Sequence, residues 1–148
     1  MTITKFYDMN DELSKKYAGE LLKDGMFELL PPPDTLYENT GCGITFKSKN
    51  GIYVCFIQDR GLEVSCRVGD EEDLGTFLED VLYAIDVKMP EYHDDFVELM
   101  KVASKVIMEN LSKIEQAFDK ANIEETYRKV KISVRKRWGK WGDRFIKD

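Results

Sequence analysis

The chain has 148 residues, of which 43% are apolar and 34% are charged, and its formal net charge is −6. A chain of this length fits one globular domain, which we expect to cover residues 1–148, and its negative charge disfavours nucleic-acid binding by the molecule as a whole. No run of residues is long and apolar enough to cross a bilayer, and residues 1–8 lack the apolar core of a signal peptide, so we expect a cytoplasmic protein with no membrane partner.

The first predicted elements are a helix over residues 11–23 and a short edge strand over residues 26–30. Asn10 is placed to cap the helix, and Gly25 is placed to end it, because glycine readily takes the left-handed conformation found at helix C-termini. Residues 31–33 are three consecutive prolines, which impose an extended stretch and stop strand pairing there.

The middle of the chain, residues 44–68, predicts an antiparallel β-meander. Its strands cover residues 44–48, 52–58 and 62–68. Each connection is a three-residue loop that closes on glycine, Gly51 or Gly61, which suits a type I turn followed by a G1 bulge. The strand pairs expected from these loops are Ile44–Phe56, Phe46–Val54, Phe56–Val64 and Val54–Cys66. The even-numbered residues then share one apolar face, and the other face is expected to be partly covered, with an exposed contact patch as the alternative.

The meander has a rival register that uses two-residue turns. That register sets Cys55 opposite Cys66 and turns the most apolar residues of the middle strand outward, because a one-residue slip reverses the faces of a strand. We therefore reject it, and with it a disulfide between these two cysteines. Cys42 is the third cysteine, and the odd number without a C-x-x-C spacing indicates that all three serve in packing.

Three helical segments are predicted after the meander. The first has an apolar stripe over residues 74–85, and the four carboxylates of residues 70–73 lie at its N-terminus, where the helix dipole favours negative charge. A longer helix follows over residues 91–121, and Asn122 with Glu125 forms a start like a capping box for the last helix. This order predicts an α+β fold, in which the antiparallel meander packs against several helices, including a long C-terminal helical pair.

Groups that could carry catalysis are sparse. His93 is the single histidine, and it lacks the nucleophile setting that a catalytic triad needs, so we interpret it as a solvated residue at a helix start. Calcium-loop and phosphate-loop patterns are absent from the sequence. We therefore expect a protein that is not an enzyme, with no catalytic residue, no metal site and no cofactor. An enzyme built on paired carboxylates stays as a third hypothesis.

Charge is unevenly distributed along the chain. Residues 70–98 carry a net charge of −10, and residues 128–148 carry +7. We predict that the acidic segment forms a partner-binding surface, which would attract a cationic partner and raise the rate of association. The residues predicted for this surface are Asp70, Glu71, Glu72, Asp73, Glu79, Asp80, Glu91, Asp94 and Asp95. The alternative is an ordinary solvated face of two amphipathic helices.

The basic C-terminal segment has aromatic residues between its cations, among them Trp138 and Trp141. This arrangement suits single-stranded nucleic acid, whose phosphates pair with cations and whose bases stack on aromatic rings. We favour a terminal helix whose tryptophans pack on the domain, because both tryptophans continue an apolar seam. A nucleic-acid-binding or adaptor protein that uses this tail is the alternative function.

One part of the sequence resembles a known group of proteins. Residues 43–68 read GITFKSKNGIYVCFIQDRGLEVSCRV, and after an acidic loop residues 77–82 read FLEDVL. This part resembles bacterial immunity proteins of polymorphic-toxin and contact-dependent growth-inhibition systems. The resemblance implies a small, cytoplasmic protein without catalytic residues that binds and blocks one cognate toxin domain. We expect that toxin to be basic, with nucleases among the candidates, and the chain itself to be a monomer or a weak dimer.

Overall fold

The computed structural model describes residue 12 and residues 15–30, 42–58, 64–70, 76–92 and 95–139. Its strands are β1 (Phe27–Leu29), β2 (Cys42–Ser48), β3 (Tyr53–Gln58) and β4 (Val64–Gly69). Its helices include α1 (Gly19–Leu22), α2 (Leu78–Ala84), α3 (Phe96–Glu109), α4 (Leu111–Ala117) and α5 (Ile123–Trp138). None of the helices in these described ranges is long and apolar enough to cross a membrane. A four-stranded antiparallel sheet with helices packed against it confirms the predicted α+β class.

The N-terminal helix and the edge strand agree with the prediction where the chain is described. Residues 15–17 are helical, the backbone bends at Ala18, and α1 continues to Leu22 before a 3-10 turn at Lys23–Gly25. β1 then pairs with β2 at one edge of the sheet, whose strand order is β1-β2-β3-β4. Asn10 and the prolines at residues 31–33 lie outside the described residues.

The first hairpin of the meander has the predicted register. Phe46 lies opposite Val54. The neighbouring inward pair is Ile44 with Phe56, also as predicted. Gly51, the last residue of the three-residue loop, has a φ of 87°. This left-handed conformation is the one that a G1 bulge requires of its glycine, so both the loop and the register are confirmed.

The second hairpin has a register two residues away from the predicted one, so that prediction is wrong. Phe56 lies opposite Cys66 rather than Val64. Val54 lies opposite Val68 rather than Cys66. A shift by two leaves each side chain on its predicted face, so Cys66 and Val68 are still buried. Because side chains alternate with a period of two, the apolar pattern shows which face of the strand is buried. Two registers that differ by two residues have the same buried face, so the pattern cannot distinguish them.

The disulfide that we rejected from the sequence does not form. Cys55 lies opposite Arg67, and both Cys55 and Cys66 are free thiols. Burial raises the pKa of both thiols above the ordinary cysteine value, and the rise is large for Cys66. Neither side chain therefore provides a reactive thiolate at neutral pH, and both act as packing residues. The side chain of Cys42 lies outside the described part of the structure.

The inner face of the sheet forms one core with the helices. Phe46 and Phe56 are completely buried there and meet edge to face, with their ring centroids 6.1 Å apart. Leu21 from α1, Leu82 from α2 and Met100 from α3 are completely buried in the same cluster. Full burial of a large apolar side chain contributes about 1.5–3 kcal/mol, so this layer is the main source of stability.

The outer face of the sheet is partly covered, as predicted. Tyr53, Cys55 and Ile57 on the central strand are all half-buried. Lys47 on the neighbouring strand holds its Nζ 5.3 Å from the ring centroid of Tyr53. The long stem of this lysine therefore shields part of the face while its charge stays near water.

α2 begins later than the apolar stripe predicts. Phe77 is not helical, because it forms a β-bridge with β4. The prediction that residues 70–73 lie at the N-terminus of this helix is wrong for Asp70, which directly follows β4, and the other three lie outside the described residues. The first turn of α2 contains Glu79 and Asp80 instead. Helical periodicity cannot reveal a bridge that competes with the first turn.

The helix predicted over residues 91–121 begins only at Phe96, ends at Ala117 and is divided into α3 and α4 at Asn110. The φ of Asn110 is −122°, and its Nδ2 donates a hydrogen bond to the carbonyl of Val106 at 2.8 Å. Asparagine side chains often compete in this way with the hydrogen bonds of a helix. The apolar seam continues across the break, since Ile107 and Leu111 are both buried, and periodicity therefore did not show the division.

α5 begins at the predicted place but without the predicted capping box. The side chain of Asn122 makes no capping hydrogen bond and instead donates to a carbonyl of α4. Glu125 accepts hydrogen bonds from Arg128 rather than from the start of the helix. Thr126 Oγ1 donates a hydrogen bond to the carbonyl of Ala117 at 2.6 Å, and this contact joins the start of α5 to the end of α4.

Replacement of Ser104 tests the polar content of the core. Ser104 on α3 is completely buried, and within the described residues its Oγ has no hydrogen-bond partner. Burying an unsatisfied hydroxyl costs about 1–3 kcal/mol, so we expect Ser104→Ala to raise the free energy of unfolding, by about 1 kcal/mol in urea denaturation. Ser112→Ala at an exposed helical position is the control, with a change within about 0.5 kcal/mol. A loss of stability in Ser104→Ala would contradict this assignment.

Candidate functional site

The structure divides the carboxylates predicted for the partner-binding surface among different environments. Those outside the described residues are Glu71, Glu72, Asp73 and Asp94, and His93 lies outside them as well. Those described are Asp70, Glu79, Asp80, Glu91 and Asp95. Two of the described residues belong to an internal ion-pair cluster, two line separate depressions and one caps a helix.

Asp80 lies completely inside the protein, so the prediction that it meets a partner is wrong. Its Oδ1 accepts hydrogen bonds from Ser133 Oγ at 2.6 Å and from Arg137 Nε at 3.0 Å. Its Oδ2 accepts a third hydrogen bond from Arg137 Nη2 at 2.6 Å. The guanidinium thus binds the carboxylate with both arms of its fork, the geometry in which such pairs are strongest.

Glu79 adds a second carboxylate to the same place. Its Oε2 lies 3.7 Å from Arg137 Nη1, and its side chain is 22% exposed. Burial raises the pKa of Glu79, and the attraction of Arg137 offsets only part of that rise, because the closest contacts of the guanidinium go to Asp80. We call Glu79, Asp80, Ser133 and Arg137 the α2–α5 ion-pair cluster.

An aromatic ring borders this cluster. The guanidinium carbon of Arg137 lies 5.3 Å from the ring centroid of Phe77, and that of Arg67 lies 5.0 Å from the same centroid. Contacts between cations and ring faces contribute about 0.5–2 kcal/mol, most where water is excluded. Phe77 thus connects the edge strand β4 to the ion-pair cluster.

The middle of α5 is held on α2, while Ile123 and Tyr127 near the start of α5 pack against the main core. Its buried Val130 and Val134 form a small cluster with Ala84, separate from the main core. Lys136 Nζ also donates a hydrogen bond to Tyr83 Oη at 2.9 Å. Two cations of the segment considered for nucleic-acid binding are therefore engaged within the chain.

Trp138 is 43% exposed, so the prediction that it packs on the domain is wrong. Positions three and four residues after a buried helical residue compete for the same face of the helix. Arg137 lies three positions after the buried Val134 and binds Asp80 on α2. The rotation of α5 that turns Arg137 toward α2 leaves Trp138, at the fourth position, partly exposed. Trp141 lies outside the described residues.

Asp70 lines a cleft of about 470 Å³ between the loop of the first hairpin and α4. Glu115 and Asp119 add two more carboxylates to its wall, and Lys120 is the one base among the described residues that line it. Asn50 Nδ2 donates a hydrogen bond to Glu115 Oε2 at 2.8 Å, so the loop and the helix are joined beside the cleft. We call this depression the acidic cleft.

The carboxylates of the acidic cleft differ from Asp80 in their surroundings. Asp119 is exposed and Asp70 is half-exposed, and within the described residues neither forms an ion pair. No cation of the described residues therefore neutralises them. In the part of the chain that the structure describes, no group of three histidine, cysteine, aspartate or glutamate side chains is placed to hold a metal ion.

Glu91 and Asp95 lie apart from the acidic cleft. Glu91 lines a second depression of about 650 Å³ together with Glu98 and Tyr92. Asp95 caps α3, and its Oδ1 accepts a hydrogen bond from the backbone nitrogen of Val97 at 2.8 Å. A capping carboxylate satisfies a helix N-terminus, which gives Asp95 a structural role.

Glu115 and Asp119 are candidate binding residues that the sequence analysis missed. They lie beyond the acidic segment of residues 70–98, in a stretch of mixed charge. Their spacing of four is compatible with one side of a helix, and this was the available sequence signal. That they line one cleft with Asp70 depends on how the first hairpin lies against α4, which local patterns do not show.

Comparisons with known proteins assign the chain to no family. No protein-family model matches it, and no curated protein or solved structure is significantly similar to it. The function proposed below therefore rests on the side chains of the chain itself, above all on the acidic cleft.

Arg137→Met tests the ion-pair cluster, because it keeps an apolar stem but leaves Asp80 buried without its cation. We expect a loss of about 3–5 kcal/mol in the free energy of unfolding, measured by chemical denaturation at pH 7. Lys113→Met, at an exposed position on α4, is the control and should change stability by less than about 0.5 kcal/mol. Equal effects of the two substitutions would contradict the assigned role of Arg137.

Glu79→Gln tests the pH dependence that the cluster imposes. The folded-state pKa of Glu79 is raised above its ordinary value of 4.5. At a pH between the ordinary pKa and the raised pKa, the folded state therefore binds more protons than the unfolded state. Stability therefore falls over this window. We expect Glu79→Gln to remove this fall and to be more stable than the unmodified chain at pH 7, in urea denaturation from pH 4 to pH 8. Glu109→Gln, an exposed control, should keep the original profile, and identical profiles for both variants would argue against a raised pKa.

Proposed function

We propose that this protein is a non-enzymatic inhibitor that binds another protein, and that it acts in the bacterial cytoplasm as an immunity protein against one cognate toxin domain. The acidic cleft is the observation that carries this proposal. Its Asp70, Glu115 and Asp119 line an open depression, whereas Asp80 is neutralised inside the fold. Among the described residues, the proposed surface therefore omits Asp80 and includes two residues outside the acidic segment of the sequence.

The shape and charge of the acidic cleft suit a cationic side chain. Its volume of about 470 Å³ lies within the range of about 300–1,000 Å³ over which pockets enclose small ligands. A lysine or arginine of a partner that enters the cleft can form charge-assisted hydrogen bonds with Asp70 and Asp119. Because the cleft is open to water, such pairs contribute more to the rate of association and to the choice of partner than to affinity.

The resemblance to immunity proteins supports a toxin as the partner. It rests on the meander at residues 43–68 and on residues 77–82. A toxin that degrades nucleic acid needs a cationic surface for its phosphate-bearing substrate, and such a surface is complementary to the acidic cleft. An inhibitor acts by occupying that surface, so this role asks for no catalytic group on the chain itself.

Charge reversal in the acidic cleft tests the proposal. We expect Asp119→Lys to slow association with the toxin domain about tenfold at low salt, because an attractive potential becomes repulsive. The double variant Asp119→Lys and Asp70→Lys should associate more slowly still. Association rates are measured by stopped-flow or surface plasmon resonance, and protection is measured as growth of cells that produce both proteins. The first toxin domains to test are those encoded beside the gene of this chain.

The matched control is Glu109→Lys, which makes the same charge change at an exposed position outside the cleft. It should leave the association rate within about threefold of the original, as expected for a change in net charge alone. A toxin bound equally by Asp119→Lys and Glu109→Lys would show that the acidic cleft is not the contact. Absence of protection against every neighbouring toxin domain would remove the immunity role itself.

A further inference from the structure

The large apolar side chains that stay exposed in the described part of the chain all lie on α2 and α5. They are Tyr83, Ile132 and Trp138. α5 is attached to α2 through Val130 and Val134, so its opposite side faces away from the fold. Single exposed apolar residues are ordinary on protein surfaces, and what distinguishes Ile132 is the order of the charges around it.

Four residues of α5 form a stripe on this exposed side. They are Glu125, Lys129, Ile132 and Lys136, and we call them the α5 stripe. Their spacings of four, three and four positions place them along one side of a helix. Lys129 is half-exposed and the other three are exposed. Tyr83 borders one end of the stripe, because its hydroxyl accepts the hydrogen bond from Lys136.

The charges of α5 change sign along the helix. Its first turn contains Glu124 and Glu125, and its last turn contains Arg135, Lys136 and Arg137. Two such helices side by side in parallel bring like charges together, whereas an antiparallel arrangement brings opposite charges together and also opposes the two helix dipoles. The order of charges therefore fits a second α5 that runs in the opposite direction.

We propose that the α5 stripe is a self-association surface, on which a second copy of this chain docks as an antiparallel helix pair with two-fold symmetry. With the axis midway between Lys129 and Ile132, Glu125 of each copy, which also pairs with Arg128 of its own helix, lies opposite Lys136 of the other. Ile132 of each copy then lies against the apolar stem of Lys129 of the other. Such a self-complementary interface is the commonest kind in homo-oligomers. None of the stripe residues lines the acidic cleft, so this inference is independent of the proposed function.

The size of the contact indicates a weak dimer. α5 has 16 residues, which corresponds to a length of about 24 Å. A single helix pair of this length is at the low end of specific interfaces, below about 1,200 Å² of buried area. Its charge pairs are exposed to water and are screened by salt. We therefore expect a dimer that forms only at high protein concentration and dissociates as salt is added.

A charge exchange tests both the contact and its direction. The full chain, Glu125→Lys, Lys136→Glu and the variant with both substitutions are compared by sedimentation velocity over a series of protein concentrations at low salt. Each single substitution should weaken the dimer about tenfold, because two attractive contacts become repulsive in the symmetric pair. The double variant should return to within about threefold of the original, since its charges are complementary again. Glu109→Lys, with the same charge change as Glu125→Lys, should have no such effect.

Further variants keep the test decisive if Lys136→Glu disturbs the contact with Tyr83. Ile132→Asp removes the apolar centre of the stripe and should leave a folded monomer, as checked by far-UV circular dichroism. A chain that stays monomeric at every concentration, or a dimer that Glu125→Lys and Ile132→Asp leave unchanged, would overturn the proposal.

Titration with a single-stranded oligonucleotide at low salt tests whether nucleic acid binds the cationic end of α5 instead of a second copy. Binding of the oligonucleotide by a chain that stays monomeric would assign the face to nucleic acid and would also overturn the proposal.

Discussion

The ion pair of buried Asp80 with partly exposed Arg137 is the interaction on which the placement of the C-terminal half of α5 depends. It joins residues 57 positions apart in the sequence, and it places a carboxylate where water cannot solvate it, so the carboxylate requires its cation. The other contacts between α5 and α2 are a small apolar cluster around Ala84, the hydrogen bonds from Ser133 to Asp80 and from Lys136 to Tyr83, and the longer pair of Arg137 with Glu79. Both the exposure of Trp138 and the direction of the α5 stripe follow from the rotation that this pair imposes.

Charge has two separate roles in this fold. The opposite charges of residues 70–98 and 128–148 are partly neutralised within the chain, because Glu79 and Asp80 meet Arg137. The carboxylates of the acidic cleft keep contact with water and are available to a partner. An internal pair fixes one arrangement of helices, whereas water-exposed carboxylates attract cations over a distance that salt controls. A charge count along the sequence does not separate these two roles.

The sequence predicted the sheet best where two constraints agree. In the first hairpin, the apolar alternation and the loop that closes on Gly51 specify the same, correct register. In the second hairpin the alternation specified the correct faces, but the loop expected to close on Gly61 specified a register that is wrong by two residues. Glu79 and Asp80 are adjacent and chemically alike, and the apolar stripe of α2 marks only the face toward the main core. The face toward α5 is partly polar, so no local pattern shows that Asp80 is buried there. The acidic cleft was predictable only for Asp70, because Glu115 reaches it through tertiary contacts.

The separation of Asp80 and Arg137 along the chain also matters while the protein is being made. At about 5–20 residues per second, a ribosome adds Arg137 roughly 3–11 s after Asp80. During that interval the carboxylate has no cation to meet, and α2 cannot take its final position without a loss of several kcal/mol. We expect the nascent chain to keep α2 solvated until α5 has left the ribosome, so the emergence of α5 sets the moment at which these two helices pack together.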